Sequence, residues 1–544
     1  MKILAVIPAR GGSKVIPRKN VRLMAGKPLI YYAINNAQKC DMISDVAVTS
    51  DDDEILAIAE NYGATALQRS PELAKDAVTL DPVINDAVIQ MEKQYQSKYD
   101  IVVTLQPTSP VLSADTLKEA LEAFVNTKAE TFISAVNKPH LSWGKNEAGY
   151  YPLYEKRLNR QQLPPNYHEA GAFLITLRKF VTASSRMGNK ISVYEIPEAE
   201  AVDIDTVSDW IVCESMLHCK KIVLRADGYK LIGMGHIYHC LTLAYKLIGH
   251  EVMLVTKKGC DEGIRKLKDS HMPYTVIEDD EDFMRFLSEY KPDIIVNDCL
   301  DTTAQYIKRL KSVCKRVITI EDMGEGALYA DAVINALYSG DSADSHIYGG
   351  EDYICLRDEF ITAIPKEFSP EVKNVLALFG GTDPSNLTLA VYQLAKKLHL
   401  RYPDIHFTFI AGLGYDCEKN GIQTDMENNI NVVRDAKLVS AYMKQADIAF
   451  TSQGRTVYEF ASMGVPAIVL AQNEREQLHT FAQMENGFFN LGLGSDVSSE
   501  TLERSFEFLV NTPQLRAAMR RLMLKHEHQL KSGMQREVNL ILGE

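Results

Sequence analysis

The chain has 544 residues, 46% hydrophobic and 24% charged, with a formal net charge of -13. That composition is globular, and the length exceeds what one core supports, so two to four domains are expected. The acidic balance argues against a chain that binds polyanions such as nucleic acid as a whole, but it leaves room for a local basic pocket.

In chain order, apolar strand-like runs at 3–7, 45–50, 101–105 and 132–136 alternate with helix-like stretches such as 53–62 and 114–126. The alternation continues through runs at 221–224, 252–256, 294–296, 317–320, 375–379 and 448–451. It predicts α/β layers with mostly parallel sheets. A helical stretch at 208–219 precedes a fresh strand, Lys221-Ile222-Val223-Leu224-Arg225, which sets a domain boundary at about 219–221. A second division falls near Ile364-Pro365, ahead of the strand at 375–379. The expected segments are therefore 1–219, 220–365 and 366–544, the last two being lobes around a cleft and the last carrying C-terminal helices.

Nine cysteines without a Cys-x-x-Cys pair read as reduced thiols in a cytoplasmic protein. The first apolar run is too short for a signal peptide. No run reaches the roughly 18–20 apolar residues of a membrane span.

The first strand, Ile3–Ile7, runs into Pro8-Ala9-Arg10-Gly11-Gly12-Ser13-Lys14 and then Ile16-Pro17-Arg18-Lys19-Asn20. Glycines let backbone N–H groups approach a ligand closely, and the cations offset several negative charges. A nucleoside triphosphate at the carboxyl end of the first strand of an open sheet is the natural ligand. The spacing is neither that of a Walker A loop nor the dinucleotide Gly-x-Gly-x-x-Gly. Further on, Asp203-Ile204-Asp205-Thr206 places two carboxylates on one face of an extended segment, where they can share one Mg²⁺.

The opening string resembles the nucleotide-binding signature of CMP-N-acylneuraminate cytidylyltransferases, which activate sialic acids and related nonulosonic acids with CTP. The resemblance spans about residues 1–217. It continues through Arg69-Ser70-Pro71-Glu72-Leu73-Ala74, Leu105-Gln106-Pro107-Thr108-Ser109-Pro110, Arg160-Gln161-Gln162-Leu163-Pro164 and the Asp-x-Asp motif. It implies a Rossmann-like mixed sheet, a homodimer, and Arg10, Gly11, Gly12, Ser13, Lys14 and Lys19 around the triphosphate. It also implies Asn20 near the ribose or base, Arg69 on the cytosine, Gln106 and Arg160 toward the acceptor sugar, and Asp203 and Asp205 on Mg²⁺. Arg10, Lys19 and the two aspartates would carry the catalysis.

Val15 stands where that family commonly has glycine, and Thr79-Leu80-Asp81 lacks one hydroxyl. Asn166-Tyr167-His168-Glu169 replaces a common Asn-Gly pair, so His168 and Glu169 are candidate acceptor-side residues, with loop packing the plainer alternative. A 3-deoxy-manno-octulosonate cytidylyltransferase and a non-catalytic nucleotide sensor are the competing accounts.

Residues about 221–490 resemble the hydrolase that removes UDP from a sugar in pseudaminic acid biosynthesis, and related spore-coat polysaccharide proteins. The pieces are Arg225-Ala226-Asp227, Ile232-Gly233-Met234-Gly235-His236, Glu321-Asp322, Gly380-Gly381-Thr382-Asp383, Ser452-Gln453-Gly454, Glu459 and Asn473. The resemblance implies a two-lobed glycosyltransferase-B-like region that binds a UDP-sugar. Gly380, Gly381, Ser452 and Gly454 would meet the diphosphate, Gly233 and Gly235 would bind the nucleotide-sugar, with Glu459 on ribose hydroxyls, Asn473 beside the ligand and His236 acting on water. His239, Asp298-Cys299 and Arg455 depart from the family pattern. Hydrolase, glycosyltransferase and non-catalytic nucleotide-sugar module all remain open.

Overall fold

The computed structural model describes residues 1–544 apart from Lys14, Asp76, 229–233, 339–345 and Asp435. The chain divides into two compact units, Met1–Cys219 and Lys220–Glu544.

The first unit is built on a seven-stranded mixed sheet. Its order is Ile191–Glu195, Thr131–Asn137, Tyr167–Leu177, Ile101–Leu105, Ile3–Pro8, Asp45–Ser50 and Thr65–Gln68. Residues Ile3 to Ile7 are fully buried, as expected for an apolar run flanked by parallel strands and covered on both faces. The strand Tyr167–Leu177 runs antiparallel to both its neighbours, and its register shifts between Glu169 and Leu174. Gly171, inside that shift, has φ +69°, a conformation that glycine adopts without strain. The following helix, Val207–Leu217, is started by a capping box between Thr206 and Asp209. Asp209 also accepts from the Asp205 amide at 3.1 Å, so the cap fixes the chain just behind the Asp-x-Asp motif.

The second unit has two parallel sheets, the two-lobed α/β arrangement expected for it. The first is ordered Tyr274–Ile277, Glu251–Lys257, Lys221–Ala226, Ile294–Asp298, Arg316–Ile320, Ala332–Asn335 and Ile347–Gly349. The second is ordered Ile430–Arg434, His406–Ala411, Asn374–Leu378, Ile448–Ser452, Ala467–Ala471 and Phe488–Leu493.

The lobes do not divide simply at residue 365. Ile354, Leu356 and Phe360 pack with Leu376, Phe460 and Met463 of the second lobe. The last helix, Glu527–Leu542, crosses back: Met534, Val538 and Ile541 join the core of the first sheet. Arg316 donates to the carbonyls of Ile541 (3.1 Å) and Leu540 (2.6 Å), and Lys220 to that of Leu542 (2.6 Å). These cations meet unsatisfied helix-terminal carbonyls, an electrostatically favourable end. Gly533 permits the close pass, since a Cβ there would lie 2.5 Å from the Ile354 carbonyl oxygen. Among the described residues, no helix is long and apolar enough to cross a membrane.

Candidate functional sites

In the first unit the loop after the strand Ile3–Pro8 is held from below. The Gly11 amide donates to Asp51 Oδ1 at 3.2 Å. A Cβ on Gly11 would stand 2.4 Å from Asp52 Oδ2, whereas one on Gly12 would meet nothing within 4 Å. Gly11 is thus required by the protein's own packing, and Gly12 leaves its face open. Ser13 closes the turn through its amide on the Gly11 carbonyl at 3.0 Å. Asn20, 6% exposed, donates its amide to the Arg10 carbonyl at 2.9 Å. Its side chain shapes the loop from beneath, a different task from the expected contact with ribose or base.

Lys19 donates to the carbonyl of Ile204, the residue between the two aspartates of the motif, at 2.7 Å, and its ammonium feels both carboxylates. Burial lowers the Lys19 pKa, and Arg10 adds to this, while Asp203 and Asp205 act in the opposite direction. Burial raises the Asp203 pKa, and the Asp205 charge adds to it. Asp203 Oδ1 is buried without a well-directed hydrogen bond among the described residues, although the Thr108 hydroxyl lies close enough to pull the carboxyl pKa down against burial. A buried carboxylate oxygen without a well-directed hydrogen bond, next to a second, exposed carboxylate, fits a divalent cation held by oxygen ligands. Gly171 backs this point: a Cβ there would lie 2.9 Å from Asp203 Oδ2 and 3.7 Å from Gln106 Nε2. Gln106, Asp203 and Lys19 therefore converge.

Other expected residues lie elsewhere. Arg69, 5% exposed, donates to the carbonyls of Thr49 (2.6 Å) and Ala9 (3.4 Å), so it ties together the ends of two strands. Burial lowers its pKa, and the nearby Arg10 charge contributes. Arg18, counted among the loop's cations, is engaged by Glu54 at 2.6 and 2.7 Å. Arg160 is exposed and faces Glu198 at 3.4 Å. His168 and Glu169 are adjacent on one strand and pair with Val136 and Ala135. Adjacent strand residues point to opposite faces, so the two cannot serve one pocket together. Lys14 lies outside the described residues.

In the second unit, a cleft of about 370 Å³ is lined by Gly235, His236, Gly380, Gly381, Ser452, Gly454, Glu459 and Asn473. Gly233 lies outside the described residues. Gly380 has φ +82° and open space where a Cβ would be. Glu459 accepts both bonds of an Arg357 fork, at 2.8 and 3.0 Å, so its carboxylate is already paired. Asn473 Oδ1 accepts from the Glu476 amide at 3.0 Å, a local turn contact.

The departures from the family pattern meet in the floor of this cleft. His236 Nδ1 lies 2.6 Å from Asp298 Oδ1, and His239 Nδ1 lies 2.8 Å from Asp298 Oδ2. The helix Gly235–Lys246 puts both histidines on one face, three residues apart. Burial disfavours the His236 imidazolium, but the Asp298 charge and hydrogen bond, with the Glu321 charge, together outweigh it and raise the pKa. That direction strengthens the ring as a base, with Asp298 orienting it. Burial pushes the Asp298 carboxyl up, yet the two imidazoles hold it well below the usual carboxylate range. Arg455 pairs with Glu321 at 2.6 Å, and Arg475 with Asp301 at 2.7 Å, so two ion pairs join the lobes. Glu476, also lining the cleft, has its pKa pushed up to about 7, chiefly by burial. Nothing in its local sequence marks it, because the shift arises from residues brought in by the fold.

The mixed sheet with its glycine-containing cationic loop and paired aspartates defines the first unit as a nucleotidyltransferase fold. A family model described as a cytidylyltransferase matches residues 4–179. The chain is 35% identical over 217 residues to the pseudaminic acid cytidylyltransferase of Campylobacter jejuni subsp. jejuni serotype O:2, covering 38% of this chain and 93% of that protein. The chain belongs to the cytidylyltransferase family.

It is also 28% identical over 314 residues to the spore coat polysaccharide biosynthesis protein SpsG of Bacillus subtilis, covering 54% of this chain and 90% of that protein. That match is longer than the first unit, so at least part of it lies in the second. An uncharacterized protein of Methanocaldococcus jannaschii is 28% identical over 278 residues, 47% of this chain, and the chain spans only 57% of its length.

Proposed function

We propose that the first unit joins CTP to a nonulosonic acid, releasing pyrophosphate and forming a CMP-sugar. The observation that carries this is the convergence of Lys19 with Asp203 and Asp205 beside the glycine loop. The anomeric hydroxyl of the sugar acid attacks the α-phosphorus and gives up its proton to solvent, the bond to pyrophosphate breaks, and charge builds on the leaving group and the equatorial oxygens. Arg10 and Lys19 stabilise that charge, and fixed positioning supplies much of the remaining rate. Asp203 and Asp205 would hold Mg²⁺, which neutralises phosphate charge when bound. No nucleophilic side chain is required.

The family membership and the relative named for pseudaminic acid support a nine-carbon acid as acceptor. A pyrophosphate-release assay with CTP and a panel of nonulosonic acids tests this. Turnover of 3-deoxy-manno-octulosonate alone would overturn the substrate, and no release with any acid would overturn the activity.

For the second unit we propose cleavage of a UDP-sugar in the cleft that holds His236. The observation favouring it is the His236–Asp298 contact at 2.6 Å, which fixes one ring nitrogen and leaves Nε2 as the ring's remaining polar atom. UDP release with water alone identifies a hydrolase. Release only with an added hydroxyl acceptor identifies a glycosyltransferase. Binding without release leaves a nucleotide-sugar module.

A further inference from the structure

A buried point of the second unit serves neither proposed reaction directly. It brings together His239 on the helix Gly235–Lys246, Cys355 ahead of the helix Asp358–Thr362, and Glu537 on the last helix. One ligating atom from each lies within 4.8 Å of the others. His239 Nε2 is 2.9 Å from Glu537 Oε1, and each side chain is 1% exposed. Among the described residues, neither Glu537 oxygen nor His239 Nε2 finds a well-directed hydrogen bond.

The other ring nitrogen of His239 is already held by Asp298 at 2.8 Å. A carboxylate behind the imidazole, with the far nitrogen turned toward sulfur and oxygen ligands, is the arrangement of a metal-binding histidine. His239 and Cys355 also line the cleft, which gives an ion a way in. Arg455, 3.4 Å from His239 Nδ1, is answered by Glu321 at 2.6 Å.

We propose that His239, Cys355 and Glu537 bind one divalent transition-metal ion of the zinc class, with Asp298 orienting His239. Mixed nitrogen, sulfur and oxygen donors suit that class, and three protein ligands leave a fourth position for water. The charge balances. A protonated imidazole, a neutral thiol and a carboxylate sum to zero; so do a dication, a neutral imidazole, a thiolate and a carboxylate. The two displaced protons leave to solvent. The ion would tie the first lobe's helix, the segment between the lobes and the last helix at one point.

The test uses the full chain, stripped with a chelator and then titrated with Zn²⁺ or with Co²⁺ as a coloured stand-in. The expected result is one ion per chain, with a thiolate-to-cobalt charge-transfer band. Cys355→Ser should abolish the band, and Glu537→Gln should weaken binding by about tenfold or more, while circular dichroism shows both variants folded. Zn²⁺ should raise the melting temperature of the parent chain and not that of Cys355→Ser. Failure to retain an ion overturns the proposal, as does an undiminished band in folded Cys355→Ser, because another cysteine would then be the ligand.

Discussion

Gly171 stands so close to Asp203 that an added Cβ would lie 2.9 Å from the carboxylate oxygen Oδ2, on a backbone with φ +69°. The glycine therefore serves both the register shift in its strand and the room for a candidate metal ligand. Gly171→Ala is expected to cost roughly 1–2 kcal/mol through the left-handed backbone alone. It should also displace the carboxylate and lower kcat/KM for pyrophosphate release by about tenfold or more, each tenfold being about 1.4 kcal/mol. Wild-type kinetics in a folded variant would refute the placement of Asp203.

Two neighbouring cations should behave differently. Lys19 is anchored beside the aspartates by the Ile204 carbonyl, and Lys19→Met is expected to lower kcat by about 10²–10³. Arg18 is exposed and engaged by Glu54, a pair of a kind contributing only about 0–1 kcal/mol. Arg18→Ala should leave the rate within about twofold. Steady-state kinetics on the two variants side by side would expose a reversed assignment.

Asn20 works through the loop backbone. Removing its buried donor leaves the Arg10 carbonyl without that bond, at a cost of roughly 1–3 kcal/mol. Asn20→Ala should lower the melting temperature and raise KM for CTP. Asn20→Asp, which supplies an acceptor in place of the donor, should fail to rescue either.

Glu476 predicts a pH effect. Burial, with the Asp383 charge adding to it, raises its pKa to about 7, against hydrogen bonds from the Gln472 and Gln453 backbone. Between the ordinary carboxyl range and pH 7 the folded chain holds a proton that the unfolded chain has lost. Stability therefore falls as pH rises through this window, and the loss is complete above the folded pKa. Glu476→Gln should flatten that slope and melt higher than the parent at pH 8. Parallel melting curves for parent and variant from pH 5 to 8 would contradict the raised pKa.

In the second unit, His236→Gln should reduce UDP release from a cleaved UDP-sugar by about 10²-fold or more, with pyrophosphate release by the first unit unchanged. Loss of both activities together would mean that the substitution disturbs folding or that the units are not independent.

Much of this molecule was legible from pattern alone. The strands at 3–8, 45–50 and 101–105 are short apolar runs whose burial on both faces follows from their composition. Lys19 and the two aspartates were legible because each carries charge in a recognisable string. What escaped was division of labour. Arg18, Arg69, Asn20 and Glu459 have the residue types that touch ligands, but they spend their polar atoms on Glu54, the Thr49 carbonyl, the Arg10 carbonyl and Arg357. Such partners are set by three-dimensional proximity, which a linear motif does not encode. The link from Asp298 through His239 to Glu537 was hidden for the same reason, since its last member sits near the end of the chain with no local signal.

The returning helix has a practical meaning for dissecting the protein. Because Met534, Val538 and Ile541 complete the core of the first sheet, the second unit is stitched closed by its own tail. A fragment ending near residue 365 would carry an open apolar seam where that helix belongs, and a fragment beginning there would carry an orphaned helix with nothing to cover. Any attempt to separate the lobes for expression, or to append a bulky tag directly after Leu542, puts the same seam at risk.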